Sequence, residues 1–380
     1  MNLSRSTPKL LGLLAGSALA CLLASCASQG TESSSPATND DADDAGTVIE
    51  VPDSGAAPCT ESGWCATSLP VPSPVSLNGI WGTDRNDVWI VGSPDLAIHW
   101  NGTEFSWSSL NTNQTIFGIW GSGPLDIWAF STGDVLWHNS GGGNWFRPDR
   151  DAAPMDQPWT GPVSAMWGRS ATDIWAVGLF QSVEQMTVWH SDGWNQGVPS
   201  WTPSRTTPDA MDWQPEPSFH GIWGSAAGDV WVVGEGGKTR WSPGWRDGAA
   251  QWTVVDSLTS FPLYAVWGSG SGQVWAVGGG GTVRRFTTGA DGTIAVEEIP
   301  FPNRASLRAL LGFGPNDLWV AGSEGTLAHW DGTSWSLVDL GTIGAGDREL
   351  FALWASGSDD IWAVGRDALL RKRTPSGWTP

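Results

Sequence analysis

The chain has 380 residues, 39 acidic against 19 basic side chains, a formal charge of -20, and 29 Trp beside a single Tyr. No Lys/Arg cluster is available to neutralise phosphates, which excludes a nucleic-acid binder. The same acidity excludes electrostatic docking on an anionic membrane surface.

Arg5 and Lys9 precede an apolar run from Leu10 to Leu23. The run is too short to span a bilayer as a mature helix and has the form of a secretory signal. Leu23-Ala24-Ser25-Cys26 resembles the lipobox of bacterial lipoproteins. That resemblance implies loss of residues 1–25, diacylglyceryl transfer to the Cys26 thiol and acylation of the new N-terminus. Several acyl chains anchor durably where one does not. Ala27, where an inner-membrane retention signal often has Asp, favours the outer membrane or the surface of a bacterial envelope. Membrane contact is then through the N-terminal lipid only.

Residues 26–58 are rich in Ser, Thr, Pro, Asp and Ala, with an acidic knot at Asp40-Asp41-Ala42-Asp43-Asp44. They offer almost nothing large and apolar to bury and read as a disordered tether. A flexible coil of this length reaches roughly 30 Å. Cys59 and Cys65 remain as the one pair after the signal and lipid cysteines. In an oxidising compartment they are expected to form a small disulfide loop.

From residue 59 to 380 no helical apolar period is sustained. Short Val/Ile/Trp runs alternate with Gly, Ser, Asn and Asp clusters, the pattern of strands and tight turns. One unit recurs: small residue, aliphatic, Trp, Gly, a five-residue turn, then aliphatic, Trp, two apolars, Gly. Its first Trp falls at Trp81, Trp120, Trp167, Trp223, Trp267 and Trp354, with Leu311 in the remaining copy. Its second Trp is Trp89, Trp128, Trp175, Trp231, Trp275, Trp319 and Trp362. Four strands fit each repeat; in the sixth copy they are Leu307–Gly312, Leu318–Gly322, Thr326–Trp330 and Ser334–Leu340. Seven such units of about 45 residues match the size of propeller blades. The expected fold is all-β, a seven-bladed β-propeller of four-stranded antiparallel blades, with indoles filling the wedges between sheets.

The small residue opening each unit (Gly79, Gly118, Ala165, Gly221, Ala265, Ala309, Ala352) is expected on an innermost strand, where a Cβ branch would meet the next blade. The turn ends in Asp87, Asp126, Asp173, Asp229, Asp317 and Asp360, with Gln273 the exception. These acids would lie a blade apart, too far to share a calcium ion. They are read instead as turn caps bonded to backbone amides. Asp331-Gly332 is expected in a hairpin turn with positive φ at both central residues. Thr60-Glu61-Ser62-Gly63-Trp64 echoes Thr374-Pro375-Ser376-Gly377-Trp378. The segment from about Trp64 to Val71 is therefore expected to supply the outer strand of the last blade.

Blades reading Trp-Gly, Asp-Val-Trp-Ala-Val-Gly and His-Trp-Asp-Gly-Thr-Ser-Trp resemble the Trp-rich propeller repeats of secreted bacterial proteins. These are loosely similar to BNR/Asp-box and YVTN/WD-repeat-like propellers. The likeness implies a fold and transfers no activity.

Function is sought on the face where the copies differ. The residue before each small position varies, as Asn78, Phe117, Ser164, His220, Tyr264, Arg308 and Phe351. These should ring the mouth of a central channel and suit a small polar ligand. Phe146–Gly161 and Asn195–Ser218 read as long insertions, the latter holding Trp201, Arg205, Asp209, Trp213 and Glu216. Trp159, Trp201 and Trp213 lie off the repeat framework, and aromatic planes beside acids and an Arg suit carbohydrate or protein recognition. The reading is a lipid-anchored, monomeric binding module for a glycan, peptide or envelope protein, with no catalytic residue and no cofactor. The alternative is a sialidase-like glycosidase, for which Tyr264 and Arg308 are the candidates nearest the axis, with Arg150, Arg205, Arg304 and Arg348 in loops. The histidines sit beside third-strand Trp in separate blades and do not form a zinc set. Gly278–Gly281 precedes no helix and does not cradle phosphate.

Overall fold

The computed structural model describes residues 59–373 apart from 69–70, 72, 112–113, 132–135, 147–161, 180–185, 196–197, 208–214, 271 and 345–347. The signal segment 1–25, the lipid site Cys26, the tether, Arg150, Trp159, Asp209 and Trp213 lie outside the described residues.

Seven four-stranded antiparallel sheets and one two-stranded hairpin account for the strands. Blade six, the clearest, runs Leu307–Gly314, Asp317–Gly322, Leu327–Trp330 and Trp335–Leu337. Blades one to five open at Ser76, Ile116, Val163, Phe219 and Leu263, and blade seven at Leu350. First strands of successive blades touch all the way round, blade seven meeting blade one, so the ring is closed. Closure uses the N-terminus: Trp64–Ala66 pairs antiparallel with Ala368–Arg373, Trp64 opposite Lys372 and Ala66 opposite Leu370. A Cys59–Cys65 disulfide closes a small loop whose second cysteine lies within Trp64–Ala66. The expected outer strand exists, although it is shorter than Trp64 to Val71.

The core lies between blades. Each apolar cluster joins one blade's second and third strands to the next blade, as Trp175, Val177 and Val188 join Phe219, Ile222 and Val232. All seven second-strand Trp are buried, from 0% exposed at Trp128 and Trp231 to 6% at Trp89. The first-strand Trp are half-buried, and each leans on the Gly that follows the corresponding position of the next blade. A Cβ on Gly121 would lie 2.7 Å from the Trp81 ring, and Trp120, Trp167, Trp223, Trp267 and Trp354 crowd Gly168, Gly224, Gly268, Gly312 and Gly82 in the same way. Leu311 is the one smaller projection, and the residue in the receiving position is Ala355, the one Cβ in that series; both pack on the same cluster. Leu311→Trp should therefore cost about 1–3 kcal/mol by overpacking. Ala355→Gly in the same chain should recover most of that loss in a denaturant titration. The crowding expected at the opening small residue is also present, since a Cβ on Gly79 would sit 2.9 Å from the Cα of Gly118.

Two turns differ from expectation. In six blades the five-residue turn is a two-residue tip on a bulged stem, with Asp84 paired to Asp87 in blade one. Only blade four keeps Ser225–Asp229 outside the strands. The acids ending these turns bond mainly to side chains rather than to backbone amides. His99 Nε2 lies 2.8 Å from Asp87, and Thr83 Oγ1 donates to the same carboxylate at 2.6 Å. His138 with Asp126, His190 with Asp173 and His329 with Asp317 repeat the pairing at 2.8, 2.9 and 2.8 Å. Each imidazole also packs on its blade's second-strand Trp, for example 4.1 Å between the rings of Trp89 and His99. In blade seven Arg371 replaces His, 2.6 Å from Asp360 and 4.3 Å above Trp362. In blade five, where Gln273 stands for Asp, Arg285 turns instead to Glu297 on the fourth strand. Backbone capping occurs at the third-to-fourth turn, where Asp331 accepts the amides of Thr333 and Ser334 at 2.8 Å each. There Gly332 alone has a positive φ, 97°.

Burial by itself would raise the Asp126 carboxyl, but bonds from His138, Ser122 and Trp128 outweigh it and hold it below its ordinary 3.8. A depressed carboxyl contributes stability above its unfolded value and loses it as pH falls through the folded value. Asp126→Asn should cost about 1–3 kcal/mol at pH 7. The gap from the parent chain should close as pH drops below 3.8, measured as denaturation midpoints across an acid series.

Candidate functional site

Every first strand carries a β-bulge near its start. In blade one Leu77 faces Gly92 and Gly79 faces Val91, so Asn78 is the extra residue with no partner across the ladder. The skipped residues of the other blades are Phe117, Ser164, His220, Tyr264, Arg308 and Phe351. The seven expected ring residues are thus the bulged residues of seven inner strands, at the end where the chain enters each blade. A bulge releases a residue from strand pairing and re-aims its side chain.

The structure joins most of them to a neighbouring blade. Asn78 Nδ2 donates to the Ile116 carbonyl of blade two at 2.9 Å. The Ser164 hydroxyl donates to the Phe219 carbonyl of blade four at 2.5 Å. Their polar groups therefore serve the blade joints. Phe117 is 43% exposed. Phe351 is half-buried. Three consecutive positions form a polar-aromatic cluster. The His220 and Tyr264 rings lie 5.3 Å apart, and the Arg308 guanidinium sits 4.4 Å over Tyr264. His220 Nε2 is 2.8 Å from Glu235, which stands on the loop between second and third strands of blade four.

The insertion candidates have other work. Trp201 lies on the fourth strand of blade three, Val198–Pro203, and is 7% exposed. It meets Trp128 of blade two edge-on at 6.1 Å and belongs to the core, so its plane is not offered to a ligand. Asn195–Ser218 is accordingly part strand rather than wholly a loop. Arg205 lies 4.0 Å from Glu216, whose side chain is 2% exposed. Glu216 accepts from the Thr206 amide at 3.0 Å and the Thr207 hydroxyl at 2.7 Å. Arg240 of blade four donates to the Thr206 carbonyl at 3.2 Å, and burial holds its guanidinium below its ordinary value against the pull of Glu216. These residues clasp the loop to the disc.

Among the described residues no three His, Cys, Asp or Glu side chains gather as metal ligands would. The histidines are divided between the Asp–Trp networks and the His220 pair.

No protein-family model matches the chain, and no curated protein does. Solved structures do. A YCF48 structure bound to a D1 peptide matches with TM-score 0.62 and 18% identity over 86% of this chain and 100% of that one. The WD40 β-propeller domain of Doa1 matches with TM-score 0.61 and 10% identity over 84% and 100%. A streptogramin B lyase matches with TM-score 0.62 and 14% identity over 82% and 99%. At these identities the likeness establishes the architecture: the chain is a seven-bladed β-propeller.

Proposed function

We propose that the chain is a binding module, tethered by an N-terminal lipid to a bacterial envelope, that holds a peptide, glycan or envelope protein on the face where its blades differ. The supporting observation is the bulge. A framework repeated seven times carries differing side chains at the one residue per blade that the ladder does not use, and three of those residues cluster as His220, Tyr264 and Arg308. The YCF48 neighbour was solved with a peptide bound, which makes a peptide the first ligand class to try. Of the arginines named for the glycosidase alternative, Arg150 lies outside the described residues, Arg304 is exposed, and the other three have partners in the fold. Arg205 is turned to Glu216, Arg348 donates to the Ile343 carbonyl at 2.7 Å, and Arg308 lies on the only Tyr. A glycan array and an envelope pull-down with residues 59–380 test the reading. A captured partner lost on substituting His220, Tyr264 or Arg308 supports it. Cleavage of a sialoside, with no partner retained, overturns it.

A further inference from the structure

The four-glycine run Gly278–Gly281 turns between the second and third strands of blade five, on the same face as the bulge ring. The corresponding loops carry side chains in the flanking blades, Glu235 in blade four and Glu324 in blade six. In blade five the loop is bare backbone. Phe261, 53% exposed, lies along one side, its ring 3.2 Å from where a Cβ on Gly280 would be. Asn303 and Arg304 lie along the other, with the Gly281 amide donating to the Ala305 carbonyl at 2.8 Å. Gly278 and Gly279 are buried, so the accessible bare backbone is Gly280 and the half-buried Gly281, between the exposed Phe261 and the segment bearing the exposed Arg304. Blade five's own bulge residue, Tyr264, follows Leu263, which pairs with Gly278, and Arg308 is stacked on its ring.

The charges are unusual for so acidic a chain. Arg85, Arg169, Arg205, Arg284, Arg285, Arg366 and Arg371 face carboxylates, and Arg240, Arg246 and Arg348 donate to backbone carbonyls. Among the described residues no carboxylate pairs with Arg304 or Arg308, and Arg308 Nε is buried without an acceptor. With Nε buried, the terminal Nη groups are what Arg308 can offer a carboxylate, and a guanidinium held flat against a ring keeps those donors in a fixed plane. One face of Tyr264 is covered by Arg308, which disfavours a sugar stacked there and favours recognition by charge. Phe261 offers the apolar complement.

We propose that this trough binds a peptide carboxylate flanked by an apolar side chain, the acid at Arg308 and Arg304 and the apolar group against Phe261. The proposal rests on the binding-module reading and names its ligand. Two sources share the chemistry, a free C-terminus and an internal Asp or Glu.

Calorimetric titrations of the full chain carrying Cys26→Ser separate them. The probes are an alanine-rich peptide ending in Phe with a free carboxylate, its C-terminal amide, an amidated peptide with one internal Asp beside Phe, and glucuronate. The free-acid or internal-Asp peptide should bind at least about tenfold more tightly than the uncharged amide. Arg308→Gln should remove that preference. Gly280→Glu should remove binding while leaving the melting temperature near that of the parent, because blade six holds Glu324 at the same loop position with φ 59°. Equal binding of acid and amide, a folded Gly280→Glu chain that binds unchanged, tighter binding of glucuronate than of either peptide, or no saturation by any probe overturns the trough. A partner captured by pull-down whose binding ignores Gly280→Glu would overturn the trough alone and leave the binding-module reading standing.

Discussion

Removal of residues 59–72 is expected to lower the melting temperature by roughly 5–10 °C and to make the protein self-associate. Trp64 is fully buried, packs edge-on against Trp319 at 5.7 Å, and shares a core cluster with Leu350, Ile361 and Leu370. Losing an indole so placed costs about 3–5 kcal/mol. The ladder from Trp64 to Ala66 and the bond from the Thr67 amide to the Leu369 carbonyl go with it. The strand Ala368–Arg373 would then be an open edge, with unpaired amides ready to accept a strand from another copy. Differential scanning calorimetry and light scattering read the two effects. An unchanged melt would mean that the ring holds without its seventh outer strand. Trp64→Ala in the intact chain separates the indole from the ladder and should produce the larger part of the shift without the association.

Arg371→Met should be the most damaging single substitution outside the tryptophans, at about 3–5 kcal/mol. Its side chain and that of Asp360 are 5% and 6% exposed, 2.6 Å apart, in the blade that the N-terminus closes. Truncation leaves the Asp360 carboxylate buried with one remaining donor, the Ser356 hydroxyl at 2.7 Å, and removes the cation above Trp362. Asp360→Asn with Arg371→Met should be less destabilised than the sum of the single changes by about 1–3 kcal/mol, since neither then strands a charge. Urea titrations of the four chains give the coupling directly. Additivity would show that the pair contributes through packing alone. Blade five is the natural control: with Gln273 in place of the acid, its Arg285 already bonds elsewhere, to the 56%-exposed Glu297.

The ring, its seven blades and the N-terminal strand that closes it were all legible in the chain. Their signals are local spacing and residue size. The indoles are expected between sheets, whereas the seating of each first-strand Trp on the next blade's Gly, and of Leu311 beside Ala355, is visible only in the structure. The partner of each turn Asp was not legible from local pattern. His99 is twelve residues beyond Asp87, and His190 seventeen beyond Asp173, so the pairing depends on how third strands return. Local reading sees an acid ending a turn and supplies the nearest amides. The same limit misplaced Trp201. Its strand follows a third strand lengthened to Asn195, so the distance that marks fourth strands elsewhere does not apply. The trough was half visible. The four glycines stand out, but their meaning comes from Phe261 and Arg304, which reach them from two different loops.

The bulge has one further consequence, for how such a protein changes over generations. The bulged side chain is the one that no strand pairing counts, so substituting it leaves the hydrogen-bond ladder intact. At Phe117, 43% exposed, such a change touches little else, whereas Asn78 and Ser164 would each lose a bond to the next blade's carbonyl. On the binding-module proposal, a lineage or a laboratory library would exchange ligands at the freer of these positions with few compensating mutations, while Asn78 and Ser164 stay tied to the joints.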